Sequence, residues 1–169
     1  MERSKKVIFV SHCLLNQNVR AAGRERFAGS FKDLLELFAS AGIGIIQLPC
    51  PQMEFNIEGF NRRIKAKPFL ETNGYRNHCR KLSSELINQI EKYLRNNYEV
   101  IGILGVELST SCGVHQILNG KKNVPGKGVL IEEIEKEMQK KNFQVPIVGV
   151  NLNNIYSSLE KVQSLLNFS

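Results

Sequence analysis

Three short segments set a cysteine among polar or conformationally special residues: Cys13 in VSHCLLN, Cys50 in LPCPQ and Cys112 in STSCGVH. Each follows an apolar run rich in β-branched residues and lies beyond it. A thiolate is both a nucleophile and a soft metal ligand, so the pattern points to covalent catalysis or to metal binding. No two of these cysteines have the local C-x2-C spacing of a zinc knuckle, so a fold would have to gather them. Three thiolates can hold three irons of a cubane four-iron, four-sulfur cluster and leave the fourth without a protein cysteine. A four-cysteine cage is usual for plain electron transfer, whereas an open iron is a Lewis acid that suits sulfur chemistry. The fourth cysteine, Cys79 in YRNHCRKL, has no motif around it and is assigned to packing, with His78 as an ordinary helix-surface residue.

The elements that must position these thiols alternate along the chain. KVIFVSHC reads as a first strand ending at Cys13, and SFKDLLELFASAG as a helix with Ser30 as N-cap and Gly42 as stop. IGIIQLPCP is a second strand closed by proline. NHCRKLSSELINQIEKYLRNN is a long amphipathic helix with basic residues toward its end, and YEVIGILGVEL a third strand. LNGKKNVPGKG reads as a loop, VLIEEIEKEMQKKN as a helix, VPIVGVN as a fourth strand and NIYSSLEKVQSLLNF as a closing helix. Four continuous apolar strands separated by helices predict a parallel sheet covered on both faces. The expected fold is α/β: a single-domain three-layer sandwich over residues 1–169, Rossmann-like or flavodoxin-like, with a mainly parallel sheet of about four strands. Ligands of such sheets bind beyond the carboxyl ends of the strands, where all three motif cysteines fall. The connection from Pro51 to Asn73 is long and carries Arg62, Arg63, Lys65 and Lys67, which suits a substrate-covering segment as well as a solvated insertion.

Taken together, VSHCLLN, LPCPQ and STSCG resemble the motifs of the 2-thiouracil desulfurase family, TudS, and most closely a TudS-related branch of desulfidases. The resemblance runs from about Val10 to Gly113. It implies an α/β fold in which Cys13, Cys50 and Cys112 ligate a 4Fe-4S cluster that takes sulfur from a thiolated nucleobase, giving the oxo product and sulfide. It further implies that Ser109, three positions before the last cysteine, assists beside the cluster. Gln52 stands where the family has a glutamate after Cys-Pro, Asn16 replaces a glycine, and Thr110 replaces a proline. With that carboxylate missing, Glu54 or Glu107 is a candidate general base. Ser111, Gln52, Arg62 and Arg63 are candidate substrate-binding residues, the arginines for a ribose phosphate. The expected partner is a small thiolated pyrimidine base, nucleoside or nucleotide.

Two other readings stay open at this point. Cys112 with His115 or His12 could form a metal-free cysteine hydrolase or transferase, although His12 and Cys13 would face opposite ways on a continuous strand. A non-catalytic iron–sulfur or nucleotide-binding module is the third. A dinucleotide oxidoreductase is disfavoured, because SHCLLNQNVRAAG stands where a G-x-G-x-x-G would follow the first strand, and no Walker A motif occurs. The chain has 169 residues and a formal net charge of +7, which favours anionic partners without demanding nucleic acid. MERSKKVIFV lacks the form of a secretory signal and no apolar stretch is long enough to cross a membrane. The cytoplasm is therefore the expected compartment, where cysteines are seldom in disulfides.

Overall fold

The computed structural model describes residues 2–55, 63, 65–72 and 74–167. Strand β1 (Lys6–Ser11) is followed by a single helical turn, α1 (His12–Leu15), a 3-10 turn (Gln17–Val19) and helix α2 (Lys32–Ser40). Next come β2 (Gly44–Leu48), α3 (Pro51–Glu54), α4 (Lys67–Glu71), α5 (Tyr75–Arg95) and β3 (Glu99–Val106). A hairpin of β4 (Gln116–Asn119) and β5 (Lys122–Pro125) leads into α6 (Val129–Lys140), β6 (Ile147–Val150) and α7 (Ile155–Asn167). Among these elements no helix is long and apolar enough to cross a membrane.

The main sheet has the order β2-β1-β3-β6 with all three pairings parallel. The expected α/β sandwich with a four-stranded parallel sheet is therefore the observed one. Burial on both faces explains why the central strands β1 and β3 are continuously apolar, whereas the edge strand β2 is largely exposed and carries Gln47. Val7 and Phe9 of β1 join Ile103 of β3 against α5 and α6, while Ile8 and Val10 join Leu104 against α2 and α7. Alternate residues of one strand thus feed two cores, as the two-residue side-chain period requires. Strands β2 and β3 flank β1, so the chain reverses direction of growth at β1. That is the topological switch point, where a crevice opens beyond the strand ends.

Four local expectations are corrected. The first strand stops at Ser11, and His12 and Cys13 lie on a helical turn, so the alternation argument that set their side chains on opposite faces does not apply. Ser30 is not the cap of α2: Phe31 holds that position without a side-chain hydrogen bond, and packing of the buried Phe31, Leu34 and Phe38 holds the helix in place of a cap. The stretch LNGKKNVPGKG contains an antiparallel hairpin, in which Ile117 pairs with Val124 and the chain turns at Gly120, φ +62°. A short alternating strand beside glycine and lysine is hard to tell from a loop by composition. Finally, His78 is half-buried against Phe55 and lies 3.8 Å from a Glu54 carboxylate oxygen. Gly42, at φ +67°, does end α2 as expected.

The segment from β3 to α6 carries Cys112 and is docked by backbone contacts. At the start of α6 the N–H groups that lack helical partners donate outward: Gly128 to the Gly113 carbonyl, Val129 to Thr110 and Leu130 to Ser111, at 2.9 to 3.0 Å. This satisfies helix-terminal donors and pins three residues of the loop, Thr110, Ser111 and Gly113, at once. The approach is so close that a Cβ on Gly128 would sit 2.6 Å from the Cys112 nitrogen, and one on Gly105 would meet the Cys112 carbonyl oxygen. Gly128→Ala should therefore cost about 1–3 kcal/mol through overpacking against backbone. At about 2–4 °C per kcal/mol for a chain of this size, a thermal melt should show a drop of several degrees. An unchanged melting temperature would mean the loop is not docked as described.

Candidate functional site

Cys50 ends the β2 arm as N-cap of α3, Cys13 sits on the turn after β1, and Cys112 follows β3. Because these strands are neighbours, their three thiols reach one cavity of about 90 Å³, which all three line. Cys112 also packs against both hydrophobic cores, at the seam between the layers. Cys79 is fully buried within α5 and packs in the core on one face of the sheet. Burial pushes its thiol up to about 12, against a hydrogen bond from Tyr75 that acts the other way.

Burial also raises the Cys112 thiol well above the ordinary range, reinforced by Cys50 and then Cys13 and opposed by Ser11. In the metal-free chain it is a neutral thiol and a poor nucleophile. His115 is not poised to activate it. Its side chain is 72% exposed and its Nδ1 lies 2.9 Å from Glu107 Oε1. His115 is thus not the base that a metal-free cysteine hydrolase would need beside Cys112.

Each remaining sequence candidate has a definite place. Ser109 Oγ accepts hydrogen bonds from the backbone N–H groups of Ser111 at 3.2 Å and Cys112 at 3.0 Å, so it braces the turn that presents the thiol. The Glu107 side chain is 9% exposed and accepts from the N–H groups of Val114, His115 and Gln116. Burial alone would raise its carboxyl, but His115 and these three backbone donors outweigh it and hold the group below the usual glutamate range. Gln52 is buried and donates from Nε2 to Ser111 Oγ at 2.7 Å; the same hydroxyl lies 2.7 Å from the Tyr75 hydroxyl. Gln52, Ser109, Ser111 and Glu107 all line the cavity. Glu54 is exposed on α3 and does not line it. Arg63 is exposed and outside the lining, and Arg62 lies outside the described residues.

The cations at the cavity are instead Arg20, Arg24 and Arg26, with Asn151 and Asn153 opposite. Arg26 Nη2 donates to Asn153 Oδ1 at 3.0 Å. Sequence reasoning passed over these arginines, though three within QNVRAAGRERFAG, directly after the Cys13 motif, were a signal. Their closeness to the site depends on the buried Gln17, which folds this segment back.

Among the described residues no group of three or more His, Cys, Asp or Glu is gathered as one metal ion requires. A single ion needs its donors about 2.3 Å from one point, whereas a cluster several atoms across takes ligands that stand apart around it. Three soft sulfur donors on the wall of one cavity, with cationic side chains beside them, fit an anionic polynuclear group.

No family model matches the chain. It is 33% identical over 165 residues to the uncharacterized protein MJ0003 of Methanocaldococcus jannaschii, which spans 95% of this chain and 98% of that protein. The chain belongs to the MJ0003 family. Among solved structures it is similar to the [4Fe-4S]-dependent thiouracil desulfidase TudS, with a TM-score of 0.57, 18% identity, and coverage of 97% of this chain and 99% of that one. Membership of the MJ0003 family thus comes with the fold of TudS, the family whose motifs the sequence resembles.

The depressed Glu107 carboxyl carries a pH signature. Its contribution to stability is fully present above the ordinary glutamate value and is lost as pH falls through the lower folded value. Glu107→Gln should thus melt below wild type at neutral pH, with the gap closing as the solution is acidified. A gap independent of pH would show that the ionised carboxylate is not what holds the loop.

Proposed function

We propose that this chain is an iron–sulfur-dependent desulfidase that hydrolyses the C–S bond of a thiolated pyrimidine base, nucleoside or nucleotide. The observation that carries the reading is the meeting of Cys13, Cys50 and Cys112, from three adjacent strand ends, around one cavity. The likeness to a [4Fe-4S]-dependent thiouracil desulfidase supports it, as do the three motifs. The overall reaction balances as thiocarbonyl plus water giving carbonyl plus hydrogen sulfide. Cys13, Cys50 and Cys112 would hold a 4Fe-4S cluster, which supplies an open iron able to take up sulfur as a Lewis acid.

The chain's own residues do the rest. Ser109 and Glu107 hold the turn that presents Cys112. Gln52 and Ser111 give the substrate ring a polar wall, with Tyr75 behind Ser111 to fix the hydroxyl. Gln52 cannot accept a proton as the family glutamate would, and Glu107 is held ionised by its donors, which makes it a weak base. Glu54, exposed and 3.8 Å from His78, stands outside the cavity lining. The arginines of the cavity wall favour a substrate that carries negative charge, more directly than the exposed Arg63.

Protein purified without oxygen should be brown and contain about four irons per chain. Serine in place of Cys13, Cys50 or Cys112 should lower the iron content severalfold, whereas Cys79→Ser should leave it unchanged. With 2-thiouracil, its nucleoside or its nucleotide, the loaded protein should release sulfide and the oxo product in equal amounts. Iron-free protein would contradict the cluster, and loaded protein that releases no sulfide from any of the three would contradict the desulfidase.

A further inference from the structure

We infer that Arg20 tunes the proposed cluster: its guanidinium donates a charge-assisted hydrogen bond to the Cys13 sulfur and raises the cluster's reduction potential. This rests on the three-cysteine reading and adds to it a residue that neither the motifs nor the fold likeness assigns.

Arg20 Nη1 lies 3.6 Å from Cys13 Sγ, within the longer reach of an N–H···S bond. The guanidinium does not hang free. Its Nε donates to the Arg24 carbonyl at 2.6 Å, and the Arg20 backbone N–H donates to the Gln17 carbonyl at 3.1 Å. Gln17, 2% exposed, fastens the whole assembly: its Nε2 donates to the Cys13 carbonyl at 2.5 Å, and its Oε1 accepts from the Arg26 N–H at 2.9 Å. The same buried side chain thus fixes the backbone of the thiol and the segment that carries the arginine. The guanidinium presents its donors in a rigid plane, so the bond to the Arg24 carbonyl also fixes the direction of the donor that faces the sulfur.

Hydrogen bonds to the sulfurs and nearby net charge set the potential of an iron–sulfur cluster. A reduced cluster carries one more negative charge, so a cation against a ligand sulfur stabilises it over the oxidised form. Arg26 lines the same cavity but turns its guanidinium to Asn153, which makes it a control for charge without sulfur contact. The opposite charge at the cavity, Glu107, spends its oxygens on four N–H donors.

The test is a mediated potentiometric titration of the anaerobically loaded protein, without substrate, by stepwise reduction or oxidation, followed by visible absorbance and electron paramagnetic resonance. Arg20→Gln should shift the midpoint to more negative potential, Arg20→Lys should shift it less far in the same direction, and Arg26→Gln should shift it less than Arg20→Gln. An unchanged midpoint in loaded Arg20→Gln, or an equal shift in Arg26→Gln, would overturn the inference while leaving the cluster intact. Should Arg20→Gln not load, the comparison of Arg20→Lys with wild type decides, a negative shift in favour and an unchanged midpoint against. Wild-type protein that takes up no iron would instead overturn the cluster reading.

Discussion

Three thiols that share one cavity repel one another as soon as they ionise, and the rest of the site is organised around that repulsion. In the metal-free chain Cys112 stays protonated because burial and then Cys50 and Cys13 disfavour its thiolate. The iron–sulfur core of the proposed cluster, cationic until its thiolate ligands are counted, would reverse the balance, since a coordinated thiol gives up its proton. Loading of the proposed cluster would therefore release protons and weaken as the solution becomes acidic. The arginines beside the cavity lower the same cost from outside.

Backbone geometry holds the thiols together against this repulsion. Parallel pairing brings β2, β1 and β3 side by side with their carboxyl ends at one edge. The turns beyond those ends are then fixed by different devices: Gln17 for Cys13, the proline-led turn of α3 for Cys50, and the α6 terminus with Ser109 and Glu107 for Cys112. Only the third needs glycines on both sides of the loop, because two backbone segments meet there without room for a side chain. A preformed scaffold of this kind replaces the local knuckle of a zinc site.

The strands and long helices were legible because each carries enough apolar residues at one period to outweigh its neighbours. The convergence of the three thiols followed from the strand-end rule once the sheet was taken as parallel. Local geometry was less legible. His12 and Cys13 read as strand because the β-branched run continues into them without a breaker, yet satisfying the strand's end takes a helical turn. Ser30 has the right chemistry for a cap, but Phe31 is held in the core and decides where α2 begins. The arginines at the cavity were passed over in favour of Arg62 and Arg63, because loop length is visible in a sequence and the fold-back made by one buried glutamine is not. Glu107 and Glu54 read alike as spare carboxylates; only the placement of backbone donors separates a loop-holding group from an exposed one.

In the proposed site Cys13, Cys50 and Cys112, and not Cys79, hold one iron–sulfur cluster. Crystals of anaerobically prepared protein, measured on either side of the iron absorption edge, address it directly. A single compact anomalous peak is expected in the cavity, bonded to those three sulfurs, with one iron lacking a cysteine and Cys79 apart in the core. No iron at the cavity, or a cluster closed by Cys79 as a fourth ligand, would contradict it.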